Sequence, residues 1–348
     1  MLIKYLREFN YVAMKKLIAL FSLLLFSGLT FGQDTFSIIA VDPVTGEVGS
    51  AGATCISSAG GSNIADIITD IIPGRGGVNS QAYVCIPNIN LQNAMTQMEA
   101  GFSPSEIIDY LMTNDACSSQ NFNPAYRQYG IVDLDTNGDP RAAGWTGNMT
   151  DDYKEDRQGA TFSIQGNILL NQSVIDNMEA NFNATAGTLA DKLMAALQGA
   201  NFPGADSRCL ANGTSSRTAY LLVYKADDDP NDPYIRIVVP VQAIGIEPID
   251  VLQDLYEDFL AVNEPVLKNK IQLFPNPTNN NLTLALDSSV ILTAYEVFDI
   301  TGKRLITHTS HEINYRKYQV FVSNLQSGVY FLKVKTEQGE ATFKFIKQ

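Results

Sequence analysis

The hydrophobic pattern changes its period at one place, and this change limits the possible folds more than any other feature of the sequence. Pro248–Ala261 has apolar residues at helical spacing, which predicts a closing helix. From Ile271 onward apolar residues alternate with polar ones, which indicates strands. A length of 348 residues also suits two domains. We therefore predict a body at 33–262, a linker at 263–270 and a tail at 271–348.

Seven short strands are predicted in the tail, separated by turn residues. They are Ile271–Phe274, Asn281–Leu286, Thr293–Asp299, Arg304–His308, Tyr318–Ser323, Val329–Val334 and Ala341–Ile346. So many strands in so short a segment predict a small seven-stranded β-sandwich.

Four short motifs of the tail have a recognisable order and spacing. They are Leu273–Thr278 (LFPNPT), Val297–Lys303 (VFDITGK), Leu325–Phe331 (LQSGVYF) and Phe343–Lys347 (FKFIK). With them the tail resembles the type A C-terminal sorting domain of the type IX secretion system of Bacteroidetes. The resemblance implies two partners, the type IX machinery and its tail-cleaving protease. It also implies a secreted protein or one on the outer cell surface.

Residues 1–32 have the composition of a secretory signal peptide. Met14-Lys15-Lys16 is followed by the apolar run Leu17–Phe26 and then by small residues up to Gly32. We expect Met14 to be the true start and the cut to follow Gly32. The apolar run is shorter than the ~20 residues that span a bilayer. No later segment is more apolar, so we expect no transmembrane segment in the mature chain.

The charge distribution excludes several classes of function. Residues 33–267 carry ten basic and thirty acidic residues, a net charge of −20. Such a surface repels phosphate backbones and anionic membranes, so nucleic-acid binding is not expected. The only histidines, His308 and His311, lie in the tail, so the body has no Ser-His-Asp triad and no histidine-ligated metal. We expect no cofactor.

The four cysteines all lie in the body, at Cys55, Cys85, Cys117 and Cys209. An even number in an exported protein predicts disulfides. Three pairings are possible, and we favour Cys55–Cys85 with Cys117–Cys209, because the first two follow strand-like segments and the others lie in polar loops. The alternative is four buried free thiols.

The body alternates between pairs of strands and pairs of helices. A hairpin is predicted over Thr35–Ala53, and a helix with a capping box is predicted from Pro104. Strand segments with small residues on both faces suit sheets that are covered on both sides. We therefore predict an α+β body with four layers, αββα, and keep a domain with a single sheet as the alternative.

Several segments of the body resemble an uncharacterised family of proteins related to N-terminal-nucleophile (Ntn) hydrolases. They are Thr35–Ala40 with Asp42-Pro43 and Thr45–Gly49, Gly130–Asp133, Phe162–Leu169, and Asp206–Arg208 with Ser216 and Ala219. The resemblance covers about residues 35–261 and implies the αββα Ntn sandwich, while the family's substrate is not established. The body departs from the family at Val239–Val241, which replaces an acidic segment, and in its cysteines.

The Ntn mechanism suits a body without histidine. The first residue of the mature chain is the nucleophile, and its own α-amine, with a pKa near 8, is the base. Thr35 begins the first strand and is the candidate nucleophile, with Asp42 or Arg75 as a polar partner. Oxyanion donors are sought among Ser80, Gln81 and Asn167.

One observation opposes this role. The predicted signal cut leaves Gln33-Asp34 ahead of Thr35, so a second cut at the Asp34–Thr35 bond is required. The alternative is that Thr35 is an ordinary β-branched strand residue.

Two further groups of residues have possible chemistry. Asp133, Asp135 and Asn137 match the start of a calcium loop, but Gly144 stands where the bidentate Glu is needed, and a hairpin turn explains the same residues. Asp206-Ser207-Arg208 could hold a substrate carboxylate or amide, or could be a structural ion pair.

These observations predict an exported Ntn-type amidohydrolase or peptidase that acts on an unknown small molecule or peptide. The alternative is a non-catalytic binding or structural module of the cell surface with the same fold.

Overall fold

The computed structural model describes residues 35–56, 63–309, 316–336 and 339–348, with the backbone alone of residues 261–266. The predicted signal peptide lies outside the described residues. Among the described residues, no helix has both the length and the apolar composition needed to cross a membrane.

Six antiparallel strands form the larger sheet of the body. In spatial order they are β10 (Ile235–Val239), β9 (Thr218–Tyr224), β2 (Val48–Thr54), β1 (Phe36–Val41), β8 (Phe162–Gly166) and β7 (Glu155–Gln158). The predicted first hairpin is present as β1 and β2, and it lies at the centre of this sheet. Both strands are fully buried, which explains their high content of small and apolar residues.

Four antiparallel strands form the second sheet, in the order β3 (Thr69–Ile72), β4 (Gly76–Ala82), β5 (Arg127–Leu134) and β6 (Pro140–Thr146). The sequence pattern did not predict β3 or the short helix α1 (Ile64–Ile68) before it. Their segment has many isoleucines without a clear period of 2 or 3.6, so periodicity alone could not assign it.

The remaining helices of the body occur in pairs, apart from the last. They are α2 (Ile89–Glu99), α3 (Pro104–Thr113), α4 (Ser173–Ala184), α5 (Leu189–Gly199) and α6 (Pro248–Asn269). The predicted capping box at the start of α3 is present, with Ser103 and Glu106 bonded to each other's backbone amides. Short 3₁₀ helices lie at Ser119–Phe122, Pro124–Tyr126 and Ser207–Asn212.

Helices cover the outer face of each sheet. Helices α2 and α3 pack with Val78, Tyr129 and Ile131 of the smaller sheet. Helices α4, α5 and α6 pack with the outward residues of β1, such as Phe36 and Ile38. The inner faces of the two sheets meet, and their apolar contacts there include residues of β1, β5 and β9. The body is thus a mixed α+β structure built on antiparallel sheets.

The tail contains two antiparallel sheets around its own apolar core. One consists of β11 (Ile271–Phe274), β12 (Asn281–Leu286) and β15 (Lys317–Phe321). The other consists of β14 (Arg304–Thr309), β13 (Leu292–Asp299), β16 (Gly328–Thr336) and β17 (Gly339–Lys347). The segment predicted as a linker is helical, because α6 continues to Asn269, directly before β11.

Candidate functional site

Thr35 lies directly before the central strand β1 and is fully buried. Its amide N–H donates to Oδ1 of Asn167 at 3.4 Å. Its carbonyl oxygen accepts from the backbone N–H of Asn167 at 3.2 Å and from Nε2 of Gln81 at 2.8 Å. Three hydrogen bonds therefore fix the backbone of Thr35 on both sides.

Asn167 and Gln81 reach Thr35 from different sheets. Asn167 directly follows β8, the neighbour of β1 in the larger sheet. Gln81 is near the end of β4, in the smaller sheet, and both side chains are fully buried. Thr35 thus lies at one end of the space between the sheets, and two of the residues proposed as partners from the sequence do contact it.

A network of buried polar side chains continues from Gln81 between the sheets. Ser37 donates to Oε1 of Gln81 at 2.6 Å and accepts from Asn79 at 3.0 Å and from Gln165 at 2.5 Å. Gln81 Nε2 also donates to Gln128 at 2.8 Å. Because buried amides are costly without partners, these bonds fix the position of one sheet on the other.

The sequence carried a signal for this network that periodicity analysis did not use. Polar and apolar residues alternate along β8, so that the polar ones, Ser163, Gln165 and then Asn167 just beyond the strand, share one face. The same face of β1 has Thr35 and Ser37. Such alternation ordinarily indicates exposure to water, but here the opposite sheet covers it.

The network ends in a buried tyrosine. The hydroxyl of Tyr220 lies 2.9 Å from Ser50 Oγ and 2.7 Å from Thr69 Oγ1. Burial raises the pKa of Tyr220 to about 12, although both hydrogen bonds act to lower it. The phenol therefore stays protonated at neutral pH and has no role as a base.

An ion pair lies beside the strand end that carries Thr35. Arg208 donates through Nε to Oδ1 of Asp206 at 2.9 Å and through Nη2 to Oδ2 at 2.6 Å. Nη2 also lies 3.4 Å from Oγ1 of Thr54. In the register of β1 and β2, Phe36 faces Ala53, so the next residues outward are Thr35 and Thr54.

Both disulfides form, but the favoured pairing is wrong. Cys55 is bonded to Cys209 and Cys85 to Cys117, and none of the four is free. Cys55 follows β2 of the larger sheet, and Cys85 follows β4 of the smaller sheet. Each observed bond instead joins two segments that lie beside neighbouring strands of the same sheet. Cys55–Cys209 links the end of β2 to the 3₁₀ helix that carries Arg208.

Asp42 and Arg75 do not belong to the cluster at Thr35. Asp42 lies after the opposite end of β1, a strand of six residues or roughly 20 Å, and its carboxylate accepts from amides of its own turn. Arg75 donates to the carbonyl of Leu134 at 3.1 Å and pairs with Asp133 at 3.4 Å. The expectation that either residue is a polar partner of Thr35 is therefore corrected.

Ser80 also faces away from Thr35. Its hydroxyl donates to Oδ1 of Asn88 at 3.4 Å, at the start of α2 on the outer side of the smaller sheet. Adjacent residues of a strand point to opposite faces, so Gln81 and Ser80 could not both serve the same site through their side chains.

The calcium candidates do not converge. Asp133 is fully buried and accepts from Arg141 at 2.8 Å and 2.5 Å. Asp135 accepts from the amides of Asn137 at 2.7 Å and Asp139 at 2.9 Å, which closes a hairpin turn. Within the described ranges, no three acidic, histidine or cysteine side chains are grouped closely enough to hold a metal ion. The hairpin explanation of this motif is therefore the better one.

A separate cavity of about 420 Å³ opens between α1, α2, β3 and β10. Its polar lining includes Asp66, Asp70 and Arg236, and Arg236 is hydrogen-bonded to Asp66. Neither Thr35 nor Asn167 lines it, so this cavity is distinct from the cluster at the start of β1.

Comparison with known proteins identifies both parts of the chain. Residues 272–348 match the secretion system C-terminal sorting domain, the tail of type IX cargo. A protein with this domain is secreted to the cell surface or outside the cell. No curated protein matches the chain significantly.

Solved structures also resemble the chain. One is the crystal structure of protein SPO2555 from Silicibacter pomeroyi, described as DUF1028, with 25% identity and a TM-score of 0.49. The match covers 65% of this chain and 85% of that one. The family profile described as "family of unknown function (DUF1028)" matches residues 35–247, which is more than half of the chain. The protein therefore belongs to the DUF1028 family.

Proposed function

We propose that the body is an exported amide hydrolase of the Ntn type, and that Thr35 is its nucleophile once the Asp34–Thr35 bond has been cut. The layered arrangement of the body supports this proposal. Helices cover the outer faces of two antiparallel sheets whose inner faces meet, and this layering supports the assignment of an αββα sandwich of the Ntn type. Thr35 lies directly before β1, a central strand of that arrangement, where the Ntn mechanism requires the nucleophile.

The observation that carries the proposal is the fixed backbone of Thr35. In the uncut chain its amide nitrogen is part of a peptide bond and donates to Asn167. After the cut the same nitrogen becomes an α-amine, and Oδ1 of Asn167 remains the acceptor next to it. The ordinary pKa of an α-amine is about 8, so such an amine is a suitable base near neutral pH.

The proposed chemistry is acyl transfer with Thr35 as the acceptor. The α-amine takes the proton of the Thr35 hydroxyl while Oγ1 attacks the carbonyl carbon of the substrate amide. The protonated amine then gives this proton to the leaving nitrogen, and the C–N bond breaks to leave an ester on Thr35. Water, deprotonated by the same amine, attacks the ester and releases the acid, which restores the hydroxyl.

We assign the stabilisation of the developing oxyanion to the side-chain amide of Asn167. This side chain is fully buried and contacts the residue that carries the nucleophile. Amide donors in such positions contribute roughly 10²–10³ in rate. Gln81 is a positioning residue here, since it holds the carbonyl of Thr35 and not the reacting atoms.

The decisive experiment identifies the N-terminal residue of the secreted protein and compares a matched pair of threonine variants. Edman sequencing should begin at Thr35. Thr35→Ala should abolish hydrolysis of a panel of peptides and N-acylated amino acids, with a small change in melting temperature. Thr218→Ala is the control, because Thr218 is a buried threonine at the start of β9 whose hydroxyl donates, among the described residues, to the carbonyl of Val239.

The opposite result would also be informative. A mature chain that begins at Gln33 has no amine at Thr35, and the hydrolase proposal would then fail. The binding or structural module would become the better explanation of the fold.

A further inference from the structure

We propose that the cavity between α1, α2, β3 and β10 binds a small primary amine with an apolar body, and that Asp70 pairs with the ammonium group of this ligand. Neither Thr35 nor Asn167 lines the cavity, so the inference is independent of the proposed hydrolysis. Three observations carry it, namely the apolar floor of the cavity, the hydrogen bonds of its polar lining and its charge.

The floor of the cavity is apolar and lies at the edges of both sheets. β3 is an edge strand of the smaller sheet and β10 is an edge strand of the larger one. The buried apolar side chains of the lining are Ala65, Ile67, Ile71, Leu91, Leu222 and the ring of Tyr224. The volume of about 420 Å³ lies within the usual range of small-molecule sites, roughly 300–1,000 Å³. An apolar group of a ligand therefore gains free energy when it moves from water to this floor.

Most polar groups of the lining already have partners within the protein. The hydroxyl of Thr69 lies 2.7 Å from the hydroxyl of Tyr220. Nδ2 of Asn88 and the hydroxyl of Tyr224 each donate to a backbone carbonyl, at 3.0 Å and 2.9 Å. Among the described residues, the polar side chains of the lining that keep unused hydrogen-bonding atoms are Asp70, Gln92 and Arg236.

Asp70 carries the carboxylate oxygen that is available to a ligand. Its Oδ1 accepts from the amide of Ile71 at 2.9 Å, and within the described ranges no group of the protein is hydrogen-bonded to its Oδ2. Asp66 differs, because Asn63 and Arg236 each donate to one of its two oxygens. Desolvation raises the pKa of Asp70 above its usual 3.8, which is the expected effect on a carboxyl without a cationic partner. An ammonium group would supply that partner.

The charge of the lining favours a cation over an anion. It holds two carboxylates, Asp66 and Asp70, and one guanidinium, Arg236, so its net charge is −1. Because Asp66 and Arg236 pair with each other, the uncompensated charge is that of Asp70. The body as a whole carries −20, which attracts cations and repels anions. The amide oxygen of Gln92, in the first turn of α2, is a second acceptor in the same lining.

The test compares probes of similar size that differ in charge. They are phenethylammonium, 2-phenylethanol and phenylacetate, with ethylammonium as an amine that lacks the apolar body. Calorimetry measures the binding of each probe to the protein recovered from culture fluid. We expect phenethylammonium to bind at least about tenfold more tightly than either 2-phenylethanol or ethylammonium. Phenylacetate should bind most weakly of the three aromatic probes.

A matched pair of aspartate variants assigns the preference for the amine to Asp70. Asp70→Asn should abolish it, and this variant should fold because its side chain is exposed and its amide oxygen can still accept from Ile71. Asp109→Asn is the control and should keep the preference, since Asp109 is an exposed aspartate of α3 outside the cavity lining. Thr35→Ala should also bind phenethylammonium with unchanged affinity.

Each outcome of these measurements decides the inference. A preference for phenethylammonium that is lost in Asp70→Asn and kept in Asp109→Asn would support it. Equal binding of the amine and the alcohol, or no binding of the amine at millimolar concentration, would overturn it. A preference that persists in Asp70→Asn, or one that both variants lose, would overturn it as well. None of these results depends on hydrolysis, so the function proposed for Thr35 stands or fails separately.

Discussion

Asn167 and Thr35 are joined by two hydrogen bonds, one in each direction. The amide of Thr35 donates to Oδ1 of Asn167 at 3.4 Å, and the amide of Asn167 donates to the carbonyl of Thr35 at 3.2 Å. The backbone bond continues the pairing of β1 with β8 by one step beyond its last residue pair. The side-chain bond is an addition that strand pairing does not require, and it places an acceptor at the nitrogen that the proposed cut would release.

The first prediction concerns that additional bond. Asn167→Ala leaves the backbone bond intact but removes the acceptor and the proposed oxyanion donor, so hydrolysis should fall roughly 10²-fold or more. Stability should fall by about 1–3 kcal/mol, because the partner amide is buried. Activity assays and denaturant unfolding check both. Asn181→Ala is the control, since within the described part of the chain its side-chain amide donates to a carbonyl of α5. Full activity in Asn167→Ala would contradict the site.

The second prediction concerns the disulfides. Peptide mapping of the non-reduced protein should find Cys55 linked to Cys209 and Cys85 linked to Cys117. The closed loops span 154 and 32 residues. In the chain-entropy account they stabilise the fold by about 5 and 4 kcal/mol. Replacing Cys55 and Cys209 by serine should therefore lower the unfolding free energy more than replacing the other pair. A peptide that links Cys55 to Cys85 would refute the assignment.

The third prediction concerns the pH dependence of the hairpin turn after β5. The amides of Asp139 and Asn137 hold the pKa of Asp135 below its usual 3.8, so the ionised form favours the folded state. Its contribution to stability is present above the unfolded pKa and is lost as the pH falls through the lower folded pKa. Asp135→Asn should thus lower the melting temperature at pH 7 but not at the acid limit.

Two controls accompany the experiment on Asp135. Asp299 makes the same turn in the tail, where the hydroxyl and amide of Thr301 and the amide of Lys303 lower its pKa, so Asp299→Asn should behave alike. Added calcium should not shift the melting temperature, because two backbone amides already bond Oδ1 of Asp135, and among the described residues no three acidic side chains are grouped to hold the ion. A calcium-dependent rise in melting temperature that disappears in Asp135→Asn would support the calcium site after all.

The fourth prediction concerns the spacing of the two sheets. A Cβ atom added at Gly130 would lie 1.9 Å from Oε1 of Gln165, whose Nε2 donates to Ser37. Gly130→Ala should therefore displace Gln165 and cost about 1–3 kcal/mol, as overpacking does. Thermal unfolding measures the loss. Gly328→Ala is the control, because its added Cβ would meet nothing closer than 3.6 Å. Equal stability of the two variants would refute this close approach.

The sequence alone determined the features that depend on neighbouring residues. Three such features are the first hairpin, the capping box at Ser103 and the turn at Asp135. Each of them depends on a few residues that are close together in the sequence. Their hydrogen bonds form between groups that are close in any compact conformation, so residue type is sufficient to predict them. The motifs of the tail are local in the same sense, and they identified the sorting domain.

Only the tertiary structure decided which distant residues meet. Asn167 and Gln81 reach Thr35 because β8 is the neighbour of β1 and β4 lies opposite, whereas Asp42 is removed from it by the whole length of β1. The pairing of Cys55 with Cys209 likewise depends on β9 lying next to β2. Strand order is set by the burial of whole sheet faces and by the hydrogen bonds that side-chain amides form between the sheets. These contributions are summed over the fold, so no single segment of the sequence contains them.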